Sequence, residues 1–125
     1  MTQLPLIFRA LADPSRLRIV NILSYHGICV CDLQTVLGLS QPFISRHLAY
    51  LRKVGLVQGQ REGARVCYSL SLDTPFAQVL QSLLREAIRL SPDFQADVKK
   101  LIECRASGRL KSYFVNSEEL NLRAA

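Results

Sequence analysis

The stretch GLSQPFISRHLAYLRKVG, residues 38–55, constrains the fold more than any other part of the sequence. Ser40 is a good helix N-cap, Pro42 fits the first helical turn, and apolar residues recur at positions 44, 48 and 51 until Gly55 ends the run. Just before it, apolar residues within 33–37 form a short amphipathic face that ends in a glycine turn. Two short helices joined by such a turn predict a helix-turn-helix.

The hydrophobic period changes after the second of these helices. Residues 66–72 alternate between apolar and polar side chains, and Gly63 in the segment REGAR offers a hairpin turn ahead of them. This pattern predicts a two-stranded β-ribbon. A ribbon that follows a helix-turn-helix is a wing.

Helical periods flank this central unit. Residues 6–23 predict two helices separated at ADPSR, where Asp13 can act as the N-cap and Pro14 as the first helical residue. Residues 76–88 carry an apolar stripe too broad for one small core, so we expect this helix to meet a second copy of itself in a two-fold dimer. Residues 91–114 predict one more helix.

The predicted fold class is therefore mainly α with a small β-hairpin: a winged helix-turn-helix that forms a homodimer through its terminal helices. With 125 residues and 49% hydrophobic content, the chain has the size of one domain with a substantial core. We assign residues 1–115 to that single domain with its dimerisation helices. Residues 116–125 are predicted to form a flexible C-terminal tail.

Positive charge is concentrated around the predicted recognition helix and wing. The chain carries a formal +6, and residues 40–65 hold five basic residues against Glu62 alone, as a surface facing DNA phosphates requires. The second helix of a helix-turn-helix presents its N-terminal residues to base edges in the major groove. The predicted base contacts with double-stranded operator DNA are Gln41, Ser45, Arg46 and Tyr50. The other predicted DNA-binding residues are Ser40, Arg52, Lys53, Arg61 and Arg65.

Four cysteines, at positions 29, 31, 67 and 104, are the other chemically distinctive feature. The N-terminal residues show neither a signal peptide nor a membrane span, so we expect a cytoplasmic protein with free thiols and no membrane partner. Free thiols in that compartment indicate soft-metal binding or redox chemistry. Residues i and i+2 of a helix point about 200° apart, so Cys29 and Cys31 can share an ion only at a helix boundary.

Four segments in this order resemble the ArsR/SmtB family of metal-responsive winged-helix repressors: ALADPSRLRIVNIL, CVCDL, LGLSQPFISRHLAYLRKVGLV and REGARVCYSL. The resemblance implies a homodimer that binds an operator of two-fold symmetry and leaves it when a metal or metalloid binds. In this family CVCDL marks members that sense through thiols, among them arsenite and antimonite repressors. The matching metal ligands here are Cys29 and Cys31. Arsenite members often have a third cysteine three residues on, where this chain has Gln34.

This departure leaves the third sulfur donor open. Trivalent arsenic takes three sulfurs, and Cys104 is the candidate for the third, because it is the only spare thiol on a helix that could pack near the dimer interface. Cys67 is the alternative third donor, but strand alternation puts it on the other face of the wing, and we expect the wing to lie far from the start of the first helix of the helix-turn-helix. If Cys104 is structural, a methylated trivalent arsenical needs only the two sulfurs of Cys29 and Cys31.

The predicted function is a DNA-binding transcriptional repressor, without a prosthetic group, that releases its operator on binding As(III) or Sb(III). Methylarsenite, cadmium or lead as the inducer, or thiol oxidation in place of metal binding, are the alternatives. An enzyme is not expected, because neither a glycine-rich phosphate loop nor a partnered base accompanies the thiols.

Overall fold

The structure, a computed structural model, describes residues 4–25, 27–71 and 75–111. Two helices come first, a two-residue strand leads into the helix-turn-helix, and a hairpin and two further helices follow. The bounds are α1 Leu4–Leu11, α2 Pro14–Tyr25, β1 Ile28–Cys29, α3 Val30–Leu37, α4 Gln41–Lys53, β2 Val57–Glu62, β3 Arg65–Leu70, α5 Pro75–Ala87, a 3-10 turn Ile88–Leu90, and α6 Pro92–Ala106. The predicted winged helix-turn-helix is confirmed, and the predicted tail at 116–125 lies outside the described residues.

Helix boundaries follow the capping residues. Asp13 Oδ2 accepts a hydrogen bond from the Arg16 backbone N–H at 2.9 Å at the start of α2, and this bond is the main cause that lowers the pKa of Asp13. Ser40 Oγ accepts one from the Phe43 backbone N–H at 3.4 Å at the start of α4. α3 ends at Gly38, whose φ of 69° lies in the left-handed region. The predicted caps and the glycine turn are confirmed.

The sheet has one strand more than the sequence predicts. β2 and β3 form the expected antiparallel hairpin, with Gly63 in its turn at a φ of 64°. β1 pairs antiparallel with the other edge of β3, so that Ile28 lies opposite Tyr68 and Cys29 opposite Cys67. Because β1 leads directly into α3, the wing is joined to the first turn of α3. The expectation that the wing lies far from α3, the first helix of the helix-turn-helix, is wrong.

One core holds the helix-turn-helix against α2 and α6. Its fully buried members include Ile19, Ile22, Ile28, Leu33, Ile44, Leu48, Leu51 and Leu101. Arg18 of α2 donates to both carboxylate oxygens of Asp97 in α6, at 2.8 and 2.9 Å, and to the Leu37 carbonyl oxygen at 3.1 Å. The hydrogen bond to Asp97 raises the pKa of Arg18. Arg18 thus ties the end of α3 to the two helices that support it.

The apolar stripe of α5 divides between core and surface. Two of its leucines are buried, whereas Val79 and Leu83 are 65% and 59% exposed. On α1, Phe8 is 57% exposed, and its ring makes an edge-to-face contact with Phe76 of α5. α1 and α5 therefore present neighbouring apolar side chains to the surface. None of the described helices has the length and apolar character needed to cross a membrane.

Candidate nucleic-acid interface and thiol site

The face of α4 that is turned from the core carries the predicted base-reading side chains. Gln41 and Arg46 are exposed, Ser45 is half-buried, and Tyr50 is 36% exposed. Gln41 Nε2 donates a hydrogen bond to Ser45 Oγ at 2.7 Å, which orders the amide at the N-terminal end of the helix. An amide and a guanidinium are the groups that match adenine and guanine edges. Their contacts with bases stay a prediction.

Arg16 of α2 supports this surface and was not identified from the sequence. Its guanidinium carbon lies 4.1 Å from the centroid of the Tyr50 ring, and its Nε donates to the Ala10 carbonyl oxygen at 2.7 Å. Arg16 Nη1 also lies 3.5 Å from Nδ1 of the half-buried His47, whose pKa is lowered chiefly by burial. No local pattern marks Arg16, because its partners belong to two other helices.

The remaining predicted DNA-binding residues are on the surface. Ser40, Arg52, Lys53, Arg61 and Arg65 are all exposed. Arg65, at the start of β3, also donates from Nη1 to the Lys111 carbonyl oxygen at 2.6 Å. The arrangement puts basic side chains at the end of α4 and on both strands of the wing, where they can meet phosphates.

The first turn of α3 holds two of the cysteines. Cys29 is the N-cap residue, with extended backbone, a nearly fully buried side chain and no side-chain capping hydrogen bond. Cys31 is exposed and free, and its Sγ lies 3.9 Å from Asp32 Oδ1. The two cysteines therefore lie on either side of the start of a helix, as their spacing predicts.

Cys67 lies against Cys29, and the two form a disulfide with Cα atoms 3.8 Å apart. The expectation of free thiols is confirmed for Cys31 and Cys104 and is wrong for this pair. Cys104 is fully buried in the core on α6. The sequence indicates this burial through the spacing of Cys104 from Phe94 and Leu101, because residues at these intervals lie on one face of a helix. A metal-binding role for Cys104 stays a prediction.

A cavity of about 330 Å³ lies between Cys29 and Cys31 on one side and the reading helix α4 on the other. It opens between the first turns of α3 and α4 and the tip of the wing. Its lining residues are Cys29, Val30, Cys31, Gln34, Gln41, Ser45, Ala64, Arg65, Val66 and Tyr68. A group bound at Cys31 would therefore share one cavity with the predicted base-reading residues Gln41 and Ser45.

The backbone of Lys111, after α6, connects the first turn of α3 to the wing. Buried Asp32 accepts hydrogen bonds from the Lys111 N–H at 2.9 and 3.0 Å, and the Lys111 carbonyl accepts the bond from Arg65. This segment, five residues after the end of α6, thus holds the first turn of α3 beside the wing. Within residues 4–25, 27–71 and 75–111, no three His, Cys, Asp or Glu side chains are already arranged to hold a metal ion.

A helix-turn-helix with an exposed reading helix and a basic wing defines a DNA-binding transcriptional regulator rather than an enzyme. The model of the bacterial regulatory protein family arsR matches residues 13–58. The arsenical resistance operon repressor of Escherichia coli strain K12 is 44% identical over 108 residues, which cover 85% of this chain and 91% of that one. The chain belongs to the ArsR family of transcriptional regulators.

Other relatives agree with this assignment. The arsenic resistance transcriptional regulator ArsR1 of Pseudomonas putida strain KT2440 is 40% identical over 95 residues, covering 71% of this chain and 73% of the relative. The solved structure of HlyU from Vibrio cholerae N16961 superposes with a TM-score of 0.63 at 33% identity, covering 68% of this chain and 90% of HlyU. The resemblance stated from the sequence motifs is confirmed.

Proposed function

We propose that this protein is a homodimeric repressor that leaves its operator when trivalent arsenic or antimony binds Cys29 and Cys31. The observation that carries the proposal is the cavity shared by these cysteines with Gln41 and Ser45 of the reading helix. Two relatives named for arsenic resistance support the same class of inducer. A repressor of this kind acts on chromosomal DNA, so we expect it in the cytoplasm.

Operator binding rests on α4 and the wing. Gln41, Ser45, Arg46 and Tyr50 would enter the major groove, and the exposed basic residues of α4 and the hairpin would contact the phosphate backbone. Phosphate contacts make the affinity depend steeply on salt. A single protomer reads one half-site, so specific binding requires a second reading helix at a fixed spacing.

Dimerisation is supported by the exposed apolar side chains of α1 and α5. A two-fold interface uses the same patch on both partners, and Phe8, Val79 and Leu83 provide such a patch. We expect sedimentation equilibrium to give a dimer for the native chain and a monomer for Val79→Glu with Leu83→Glu. The matched control is Gln78→Glu on the same helix, which should remain dimeric. A dimer that survives the double substitution would contradict this interface.

Inducer binding uses thiolate chemistry at the start of α3. Each thiol that displaces a hydroxyl group from arsenous acid forms one As–S bond and releases one water molecule. Thiolates select soft centres, which favours arsenic and antimony over hard cations. An ion held by the N-cap residue and by the second helical residue would reorganise the first turn of α3, and the adjoining cavity would transmit that change to α4.

A modest energetic coupling is sufficient for release. The inducer needs only to prefer the conformation that does not fit DNA, and a coupling of about 3 kcal/mol changes affinity about 150-fold. Small shifts of both reading helices would remove base and phosphate contacts together.

A thiol-redox repressor is the second candidate, and the Cys29–Cys67 disulfide favours it. Hydrogen peroxide, a two-electron oxidant, would oxidise the two thiols to the disulfide. It takes up their two protons and two electrons and is reduced to two water molecules. In that case peroxide releases the operator and a dithiol reductant restores binding, without a stoichiometric metalloid.

Fluorescence anisotropy on DNA from upstream of the protein's own gene separates the candidates. The reduced protein is titrated with arsenite, antimonite, methylarsenite and cadmium, and separately with peroxide. We expect arsenite to release the native protein and to fail with Cys31→Ser, while Thr35→Ser, an exposed change on the same helix, behaves as native. Release by peroxide but by no trivalent arsenic or antimony compound would replace the metalloid proposal with redox sensing.

A further inference from the structure

We propose that Cys67 of the wing supplies the third sulfur of the arsenite site, so that trivalent arsenic joins the wing to the first turn of α3. The inference rests on the proposed function. It assigns a ligand that the CVCDL motif does not contain, and it selects Cys67 in place of the sequence candidate Cys104.

The sheet register carries the assignment. Cys67 is the direct cross-strand neighbour of Cys29, and their sulfurs are within bonding reach of each other. Cys31 follows two residues after Cys29, in the first turn of α3. The residues that carry the three sulfurs therefore lie at the end of β1, at the start of α3 and in the middle of β3, and the first turn of α3 must reorganise to bring Cys31 Sγ to the other two. The arrangement replaces the missing cysteine at Gln34 with one from the opposite strand.

Other contacts hold β3 and the first turn of α3 together. Lys111 donates to Asp32 in α3 and accepts from Arg65 at the start of β3. These bonds limit how far β3 can move from α3 when the disulfide is open. The Cys67 residue is half-buried, and its Sγ lies 3.9 Å from Oε2 of the exposed Glu62, so this sulfur is outside the hydrophobic core.

Cys104 is neither a neighbour of Cys29 in the sheet nor located outside the core. It is fully buried within the hydrophobic cluster, and it lies on α6 and not on β1, β3 or α3. A sulfur at that position can reach an exposed ligand only if the core opens, which costs packing and creates a cavity. A buried, free cysteine in such a row behaves as a small apolar side chain.

The site forms only in the reduced protein. Two molecules of a small cellular thiol reduce the Cys29–Cys67 disulfide, giving two protein thiols and one small-molecule disulfide. Arsenous acid then exchanges its three hydroxyl groups for the sulfurs of Cys29, Cys31 and Cys67, with release of three water molecules. Arsenic stays trivalent. In the oxidised protein only Cys31 of these three is available, so the disulfide closes the site.

Counting sulfurs around arsenic tests the proposal directly. X-ray absorption at the arsenic edge is measured on reduced full-length protein loaded with arsenite, for the native chain, Cys67→Ser and Cys104→Ser. We expect three As–S bonds in the native protein and in Cys104→Ser, and two in Cys67→Ser. Three bonds in Cys67→Ser, or two in the native protein, would overturn the assignment.

Operator release gives the functional counterpart. We expect Cys67→Ser to need at least about tenfold more arsenite than the native protein, since even outer-shell changes at metal sites cost that much. Methylarsenite needs only two sulfurs and should release both proteins alike. If no trivalent arsenical releases the native protein, the proposed function fails, whereas the sulfur count still decides which thiols bind.

A measurement on the native chain avoids any dependence on variant folding. Arsenite should protect Cys29, Cys31 and Cys67 from alkylation, read by peptide mass spectrometry. Methylarsenite should leave Cys67 open to the reagent. Unchanged labelling of Cys67 with arsenite would contradict the proposal even if Cys67→Ser failed to fold.

Discussion

The two helices of the reading unit begin in opposite ways. α4 begins after Ser40, whose hydroxyl caps a backbone N–H, whereas α3 begins after Cys29, whose side chain makes no capping hydrogen bond. The acidic residue in the first turn of α3, Asp32, is bonded to Lys111 instead. α4 thus has a start built for rigid presentation of side chains. α3 has a start stabilised less by its own cap and open to chemistry at sulfur.

The interior of α4 offers the largest effect. Leu48→Ala removes a fully buried side chain and should lower the free energy of unfolding by about 2–5 kcal/mol, measured by urea denaturation. Ala49→Ser, at the neighbouring exposed position, is the control and should change it little. A small loss for Leu48→Ala would mean that α4 is not the rigid member of the pair.

The reading face of α4 should separate affinity from stability. Arg46→Ala removes an exposed guanidinium that is predicted to contact a base, so operator binding should weaken by about 1–3 kcal/mol. Anisotropy titrations on operator and on unrelated DNA measure the loss, which should be greater on the operator. Equal weakening on both fragments would indicate a phosphate contact. The urea midpoint should stay at its native value.

Substitutions at the two N-cap residues, Ser40 and Cys29, sharpen the comparison of the two helix starts. Ser40→Ala should cost about 1 kcal/mol, since it removes a working N-cap. In reduced protein, Cys29→Ser should be more stable than Cys29→Ala by about 1 kcal/mol, because a hydroxyl can cap where sulfur does not. Thermal unfolding in the presence of a reductant measures both differences. Equal stability of the two Cys29 variants would show that the start of α3 needs no cap.

The smallest effect concerns His47 beside the reading face. Burial lowers the pKa of His47, so the folded state holds the neutral imidazole more firmly than the unfolded chain does. This contribution to the free energy of unfolding is fully present above the pKa of the unfolded chain, near 6.5, and is lost as the pH falls through the lower pKa of the folded state. Urea midpoints should therefore decrease slightly on acidification through that window, and His47→Gln should remove this part of the slope. A midpoint that rises instead would reverse the sign.

Local patterns were sufficient to predict most of the fold. The period of Ile44, Leu48 and Leu51, the cap at Ser40 and the turn at Gly38 are all properties of neighbouring residues, and the structure confirms them. The hairpin was predictable for the same reason. These features depend on backbone preferences that act within a few residues.

The thiol site was only half predictable. Cys29 and Cys31 are conspicuous because they are close in sequence, whereas Cys67 reaches Cys29 through a two-residue strand that is too short to show a period. Strand pairing between segments far apart leaves no local trace. Asp32 and Lys111 escaped prediction in the same way, because a backbone N–H can bond to any carboxylate that the fold brings near.

The Cys29–Cys67 link also has a topological meaning, because it joins residues 38 positions apart and closes a ring of chain around α3, α4 and β2. Closing a loop of that length restricts the unfolded ensemble by about 4 kcal/mol in the chain-entropy view. The ring contains the whole reading unit and none of α1, α2, α5 or α6. In the oxidised protein the reading segment therefore stays closed in a ring even when the chain unfolds, whereas the reduced protein, which is the state able to bind arsenic, lacks this constraint.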